Sequence, residues 1–229
     1  MKVGFVGLGV MGRPMAQHLQ AAGHELHVWA RRRASAEGLA AVWCETPAEL
    51  GRRCEVVFTI ITSSDDVESV ALGANGLIEG MAPGTVLVDC STIAPEAARR
   101  IAARLAAKGV HMLDAPVSGG AQGAIDATLA IMAGGDAEVL ERVRPLLACL
   151  GQRIVHIGPN GAGQVAKACN QMIMVAAIEA AAEAMRLADA SGVDRAKVRA
   201  ALAGGSAGSR VLDVMGERMV RRDFAAGIE

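Results

Sequence analysis

The stretch from Lys2 to Gly12, KVGFVGLGVMG, constrains this chain more than any other. Lys2 to Gly7 is a short apolar run, strand-like in length and in its paired valines, and Pro14 to Ala22 reads as a helix. Between them Gly7, Leu8, Gly9, Val10, Met11 and Gly12 form a turn with glycines at G-x-G-x-x-G spacing. Each glycine has its own reason to be there. Gly7 allows the tight turn, Gly9 lets a pyrophosphate approach the main chain, and Gly12 lets the helix pack close against the strand. The helix N-terminus then offers free N–H groups and a positive dipole end to phosphates. Strand before and helix after is the context that makes these glycines a dinucleotide-binding turn rather than a loop.

The remaining composition narrows the partners. The chain has 229 residues, is 52% hydrophobic and 21% charged, and carries a net charge of -1. That is a globular composition with enough apolar material for a core. Near-neutral charge gives no support for nucleic acid or a membrane surface as partner. With 2% aromatics and no tyrosine, the chain lacks stacking platforms for bases. Its five cysteines, Cys44, Cys54, Cys90, Cys149 and Cys169, form no C-x-x-C pair, so no metal site is expected, and they read as buried reduced thiols of a cytoplasmic protein. No signal peptide is visible ahead of the first strand. The longest apolar stretch, Met172 to Ala182, is interrupted by Glu179 and reads as too short and too polar to span a bilayer.

After the first helix, strand and helix alternate. Strands are expected at Glu25–Ala30, Glu55–Ile61, Thr85–Asp89, Val110–Asp114, Leu129–Ala133 and Arg153–Ile157. Helices are expected at Ala34–Ala41, Pro47–Arg52, Pro95–Lys108 and Ala137–Leu150, with Thr62 to Asp66 a polar loop able to cap a further one. This rhythm predicts an α/β fold with a mostly parallel, doubly wound sheet of the Rossmann type. The pattern changes after Gly158. Gly163 to Ser191 holds no turn signal and predicts one long interdomain helix, about 40 Å at roughly 1.5 Å per residue. Asp194 caps a short helix to Ala203, and a last helix is expected from Ser209 to Met219. The domains are therefore placed at 1–161, dinucleotide-binding, and 162–229, all-α.

Three clusters carry chemistry. An NAD-binding unit of this type has an acidic residue at the end of the second strand, for the ribose hydroxyls. Ala30 and Arg31 stand there, with Arg32 and Arg33 behind. Guanidinium groups bind a 2′-phosphate that a carboxylate would repel, so NADP is favoured, with NAD the alternative. The second cluster, Asp114 to Gly120, starts at the C-terminal end of a strand, where open α/β sheets bind ligands. Its Ser118-Gly119-Gly120 exposes main-chain N–H groups suited to an anion such as a carboxylate, and read alone is equally a tight turn. The third opens the long helix: Lys167, Asn170 and Gln171, at i, i+3 and i+4, share one helix face in an apolar setting. A lysine desolvated there has a lowered pKa and can exchange a proton near neutrality; the alternative is a lysine snorkelling from a domain junction.

Four motifs in order then resemble one family. Phe5 to Leu19 resembles the signature of the β-hydroxyacid dehydrogenases, of which 3-hydroxyisobutyrate dehydrogenase is the best-known member. Asp89-Cys-Ser-Thr92-Ile-Ala-Pro95 is similar to the family's second cofactor segment, Asp114 to Gly123 to its substrate segment, and Gly161 to Asn170 to its catalytic helix. The resemblance implies an NAD(P)-dependent interconversion of a small hydroxy acid and its semialdehyde. It implies Lys167 as general acid and base, Asn170 as the residue that orients substrate, and Ser118, Gly119 and Gly120 as the carboxylate site. Thr92 would lie against the nicotinamide half, with Ile61 and Thr62 in a further cofactor loop, where many relatives carry a proline. The Lys-Ala-Cys-Asn-Gln form looks closest to the tartronate semialdehyde reductase branch. The family pattern continues into helices with a Lys-Asp pair that closes over the cofactor. No such pair follows Asp223 and Phe224 here, so the α domain is expected to be incomplete, or else the protein a shortened variant with a more open site.

The expected function is therefore hydride transfer between NAD(P)H and a small semialdehyde acid: tartronate semialdehyde to glycerate, or 3-hydroxyisobutyrate to methylmalonate semialdehyde. Another small aldehyde acid such as succinic semialdehyde is an alternative, and an imine is a weaker one. A phosphorylated sugar acid lacks the basic cluster it would need near Ser118. From a different class, a dinucleotide-binding module without catalysis is the second reading; it leaves the polar face of Lys167, Asn170 and Gln171 without a purpose. Alanines on more than one face of the long helix (Ala176, Ala177, Ala180, Ala181) predict a homodimer or homotetramer.

Overall fold

The computed structural model describes residues 1–225 and divides into two compact units, Met1–Lys167 and Ala168–Glu229. In the first unit, β1 (Lys2–Val6) leads into α1 (Gly12–Ala21) and β2 (Glu25–Trp29). β3 (Val42–Trp43), α2 (Pro47–Arg53), β4 (Val56–Thr59), α3 (Ser64–Leu72), α4 (Leu77–Gly80), β5 (Val86–Asp89), α5 (Pro95–Ala106) and β6 (His111–Asp114) continue the alternation. β7 (Val117–Ser118), α6 (Gly120–Ile125), β8 (Leu129–Gly134), α7 (Ala137–Ala148) and β9 (Gly151–Gly158) complete the sheet. Its order is β3-β2-β1-β4-β5-β6-β8-β7, with β9 beside β8. The strands from β3 to β6 pair in parallel, β8 runs antiparallel to β6 and β7, and β9 is parallel to β8.

The period-two alternation of the strands explains why helices cover both faces. Phe5, Val56, Phe58, Val88 and Leu113 point into one core, with Met15 and Leu19 of α1. Val6, Val57, Leu87 and Met112 point into the other, with Leu50 of α2 and Ile101 and Leu105 of α5. Side chains of neighbouring residues on one strand thus bury in opposite directions, as a doubly wound sheet requires. The Phe5 and Phe58 rings stack across β1 and β4 with centroids 6.0 Å apart. Ser63, from the polar loop after β4, caps α3 by accepting the Asp66 N–H.

Two local expectations change. Ala34–Ala41 is not a helix: only a four-residue 3₁₀ turn, Arg33–Ala36, forms there, and none of its residues is fully buried. Gly38 breaks the segment with a left-handed φ of 75°, and its scattered alanines make no apolar stripe wide enough to hold a helix. The stretch after Asp114, expected as an anion-binding segment or a tight turn, contains β7 and α6, elements too short to leave a periodic signal.

α8 (Ala162–Ala190) starts in the first unit and runs on into the second, which also holds α9 (Arg195–Ala203), a π turn at Leu212–Gly216 and α10 (Glu217–Arg221). Asp194 caps α9, Arg195 pairs with Asp189 at 3.0 Å, and Arg199 pairs with Glu217. α8 is longer than the apolar stretch read from sequence. Its most apolar 18 residues have a mean hydropathy of 1.2, so by length and composition alone it could cross a membrane, a measure that core helices of soluble proteins also meet. Met172, Ile173, Val175 and Leu187 along it are exposed.

Candidate active site

The glycine turn closes as its spacing demands. Gly7 sits at φ 95°, and a Cβ there would lie 2.2 Å from the Ile60 carbonyl oxygen. A Cβ on Gly12 would lie 1.8 Å from the Gly7 carbonyl oxygen. Both positions are closed by protein backbone. Gly9 differs: nothing lies within 4 Å of its Cβ position. No side chain caps the N-terminus of α1, and Val10 and Met11 are not buried. An open main-chain surface at an uncapped helix N-terminus fits a pyrophosphate. The turn also stands between β1 and β4, where the strand order reverses, the crevice in which such sheets bind dinucleotides.

The other cofactor-segment residues gather at the same sheet edge. Arg31 follows the end of β2, Ile61 and Thr62 follow β4, and Thr92 follows β5, with Arg31, Thr92 and Thr62 exposed. Of the three arginines, Arg33 is committed: its guanidinium lies 5.5 Å from the Trp43 ring centroid and 3.4 Å from Glu45. The side chains of Arg31 and Arg32 have no ion-pair or hydrogen-bond partner among the described residues.

Below this surface lies a polar network whose members the sequence reading left without a role. Asp89 and Asp114 end adjacent strands in register, and both are fully buried. Asp89 Oδ1 accepts from the Thr59 hydroxyl at 2.7 Å and from the Ser91 N–H at 3.2 Å, while its Oδ2 is buried without a partner. Burial pushes Asp89 up to about 6, against the pull of those bonds. The Ser91 hydroxyl accepts the Ile61 N–H at 2.9 Å, which ties the loop after β4 to the loop after β5. Asp114 accepts the N–H groups of Gly161 at 2.7 Å and Gln164 at 3.1 Å, and so satisfies the start of α8. Gln164 has its side chain buried between Ile93 and Ser91, with its amide bonded to the main chain of both. The available signal was two aspartates at strand ends followed by a glutamine one turn ahead of Lys167.

One turn past Gln164, Lys167 is 8% exposed, and Nζ donates to the carbonyl oxygen of Val117 at 2.8 Å. Burial holds its pKa below the ordinary lysine range. Val117 immediately precedes Ser118, Gly119 and Gly120, so the amine and the suggested anion loop adjoin. Gly119 and Gly120 take φ of 143° and 64°, conformations that glycine adopts cheaply, and Gly120 has nothing within 4 Å of its Cβ position. Asn170 belongs to the second unit; its side-chain amide donates to Gln171 Oε1 at 2.9 Å. Among the described residues no cluster of histidine, cysteine or acidic side chains could hold a metal.

An open glycine turn at the strand-order reversal, with a buried lysine on the same unit, defines a nicotinamide-dinucleotide-dependent dehydrogenase of the Rossmann type. Residues 2–158 match the model for the NAD-binding domain of 6-phosphogluconate dehydrogenase, and residues 161–229 that for the NAD-binding domain of NADP-dependent 3-hydroxyisobutyrate dehydrogenase. The chain is 44% identical to 2-hydroxy-3-oxopropionate reductase of Escherichia coli, over 100% of this chain and 79% of that protein. It is 39% identical to NAD-dependent L-serine dehydrogenase of Pseudomonas aeruginosa, over 99% of this chain and 79% of the other. Its structure is similar to that of Mycobacterium tuberculosis 3-hydroxyisobutyrate dehydrogenase with L-serine. That match has a TM-score of 0.89 at 33% identity and covers 99% of this chain and 80% of the other. The chain belongs to the β-hydroxyacid dehydrogenase family, NAD(P)-dependent enzymes that act on CH–OH donors. The reading of a non-catalytic dinucleotide module gives way to this membership.

Proposed function

We propose that this chain uses NADPH to reduce a short semialdehyde acid of the tartronate semialdehyde type, with Lys167 as general acid. The observation that carries the reading is the 2.8 Å bond from Lys167 Nζ to Val117 O, beside Ser118-Gly119-Gly120. The bound nicotinamide supplies the hydride to the carbonyl carbon. Main-chain N–H groups of Ser118, Gly119 and Gly120 bind the substrate carboxylate and so direct the carbonyl toward the amine. Lys167 donates its proton to the carbonyl oxygen as that oxygen gains charge, and in the oxidative direction it accepts the hydroxyl proton. Asn170 orients the same oxygen, a role that rests on the family motif. The Gly7–Gly12 turn, with Leu8, Val10 and Met11, takes the pyrophosphate, and Ile61, Thr62 and Thr92 flank the nicotinamide half.

Exposed, unpaired Arg31 and Arg32 at the end of β2 support NADP over NAD, because each offers a free guanidinium where NAD presents only a hydroxyl. The identity to 2-hydroxy-3-oxopropionate reductase supports the three-carbon acid over 3-hydroxyisobutyrate. The apolar residues exposed along α8 support a dimer or tetramer, and the free cysteines support the reducing cytoplasm. A panel of semialdehyde acids followed at the nicotinamide absorbance band, with NADH and NADPH in parallel, tests the assignment. Tartronate semialdehyde with NADPH is expected to give the highest kcat/KM. A higher value for methylmalonate or succinic semialdehyde overturns the substrate, and one for NADH overturns the cofactor. Light scattering at micromolar concentration tests the oligomer, and a monomer overturns it.

A further inference from the structure

We propose that Arg13 is a positioning residue for cofactor specificity: it holds the segment after Arg31 and Arg32 in the shape that receives a 2′-phosphate. The inference rests on the NADP reading above. Arg13 lies in the first turn of α1. Its side chain leaves the helix, and Nη1 donates to the Ser35 carbonyl at 2.7 Å while Nη2 donates to the Glu37 carbonyl at 2.5 Å. A planar guanidinium fork can hold two carbonyls at once, which an ammonium cannot do in the same geometry. Further along α1, Gln20 donates to the Ala40 carbonyl.

Ala36, Leu39 and Ala41 of the segment so held are partly buried against the core, and short main-chain bonds such as Ser35 N–H to Arg32 O shape its backbone. It is a four-residue 3₁₀ turn with no fully buried residue, followed by Gly38 at a positive φ, and it ends in a two-residue strand. It also begins at the last of three consecutive cations, Arg31 to Arg33. Arg33 is engaged by the Trp43 ring and Glu45, whereas the Arg31 and Arg32 side chains have no anionic partner among the described residues. A doubly charged phosphate monoester would supply the counter-charge they lack. An anchored segment is ordered before the ligand arrives, so less affinity is lost to ordering. A dinucleotide with a free 2′-hydroxyl makes no use of the ordered cations. Arg13 therefore discriminates between the two cofactors without touching the group they differ in. The same residue donates its main-chain N–H to Gly9 in the pyrophosphate turn, so the anchor and the turn share one helix end.

Dissociation constants for NADP+ and NAD+, measured by calorimetric titration without substrate, test this. Arg13→Met keeps the aliphatic stem and removes the fork. NADP+ binding is expected to weaken about tenfold while NAD+ stays within about twofold, with Arg13→Lys between wild type and Arg13→Met. In an Arg31→Ala/Arg32→Ala background, Arg13→Met is expected to add less than about twofold to the loss of NADP+ affinity, because its effect runs through those two residues. Equal weakening of both cofactors would instead place Arg13's effect in the shared pyrophosphate turn and overturn the proposal. An unchanged ratio in both Arg13 variants also overturns it. A wild-type chain that binds NADP+ no tighter than NAD+ removes the NADP reading itself, an outcome distinct from a wild-type preference that Arg13→Met leaves intact.

Discussion

Gln164 and Ile93 are joined by a buried hydrogen bond, the Ile93 N–H donating to Gln164 Oε1 at 3.1 Å. Seventy-one residues separate them in sequence. The other end of the same amide donates to the Ser91 carbonyl at 2.8 Å. One side chain thus ties the first turn of α8 to the loop that carries Thr92, and Lys167 follows one helical turn later.

Replacing Gln164 separates placement from folding. Gln164→Met fills the space but leaves the Ile93 N–H and the Ser91 carbonyl buried and unpaired, at a cost of roughly 2 to 4 kcal/mol. Melting temperature should fall, and kcat per folded site should fall by about tenfold as Lys167 loses its register. Gln164→Glu keeps the acceptor for Ile93 and loses the donor to Ser91. A loss of stability in both variants with kcat unchanged would show that the amide supports the fold alone.

With Lys167 as the proposed general acid, its amine is expected to set the pH dependence of catalysis. Burial lowers its pKa, so the protonated acid is lost at a lower pH than for an exposed lysine. Reduction needs the protonated amine, hence kcat/KM for reduction falls as pH rises through that pKa, while kcat/KM for oxidation rises. Lys167→Met should remove this limb and lower kcat by about a thousandfold. Turnover that survives the substitution, with the limb intact, would assign the proton to another group.

Asp89 controls a separate pH effect, on stability. Its folded pKa of about 6 is raised above its ordinary value, so folding favours the protonated acid. The favourable contribution is fully present below about pH 4 and is lost as pH rises to about 6, where the folded carboxyl ionises. Asp89→Asn cannot ionise. The melting temperature of the variant minus that of wild type should therefore increase between pH 4 and pH 7. A difference that stays constant across that range would show that Asp89 titrates as it does in the unfolded chain.

Two glycines of the opening turn should respond in opposite ways to the same change. Gly12→Ala drives a methyl into the Gly7 carbonyl oxygen, and about 3 kcal/mol of stability or more should be lost. Gly9→Ala meets nothing within 4 Å, so stability should stay within about 0.5 kcal/mol. Cofactor affinity should still fall by at least about tenfold, because the methyl occupies the approach of the pyrophosphate. Denaturant melts and cofactor titrations on both variants check the pair. Loss of stability in Gly9→Ala, or full cofactor affinity in it, would mean the open face of the turn is not the phosphate site.

Sequence by itself determined the elements whose signal is local. The strand, glycine turn and helix at the N-terminus, the alternation behind them and the uninterrupted run of α8 follow from period and punctuation, and four ordered motifs identified the family. Ala34–Ala41 misled because alanine content resembles helix propensity, while Gly38 breaks the segment and Ala36, Leu39 and Ala41 meet the core only partly buried, without the stripe a helix needs. Lys167 stood out as a lysine in an apolar helix, but spacing left it open whether it snorkels from the surface. Only the tertiary structure decided that its amine is buried on Val117, since that bond spans 50 residues. The same holds for Asp89, Asp114, Gln164 and Arg13. Each acts through partners that the chain brings near only when the sheet forms, and a side chain's burial and bonding partners are properties of that assembly, with no periodic trace in the sequence.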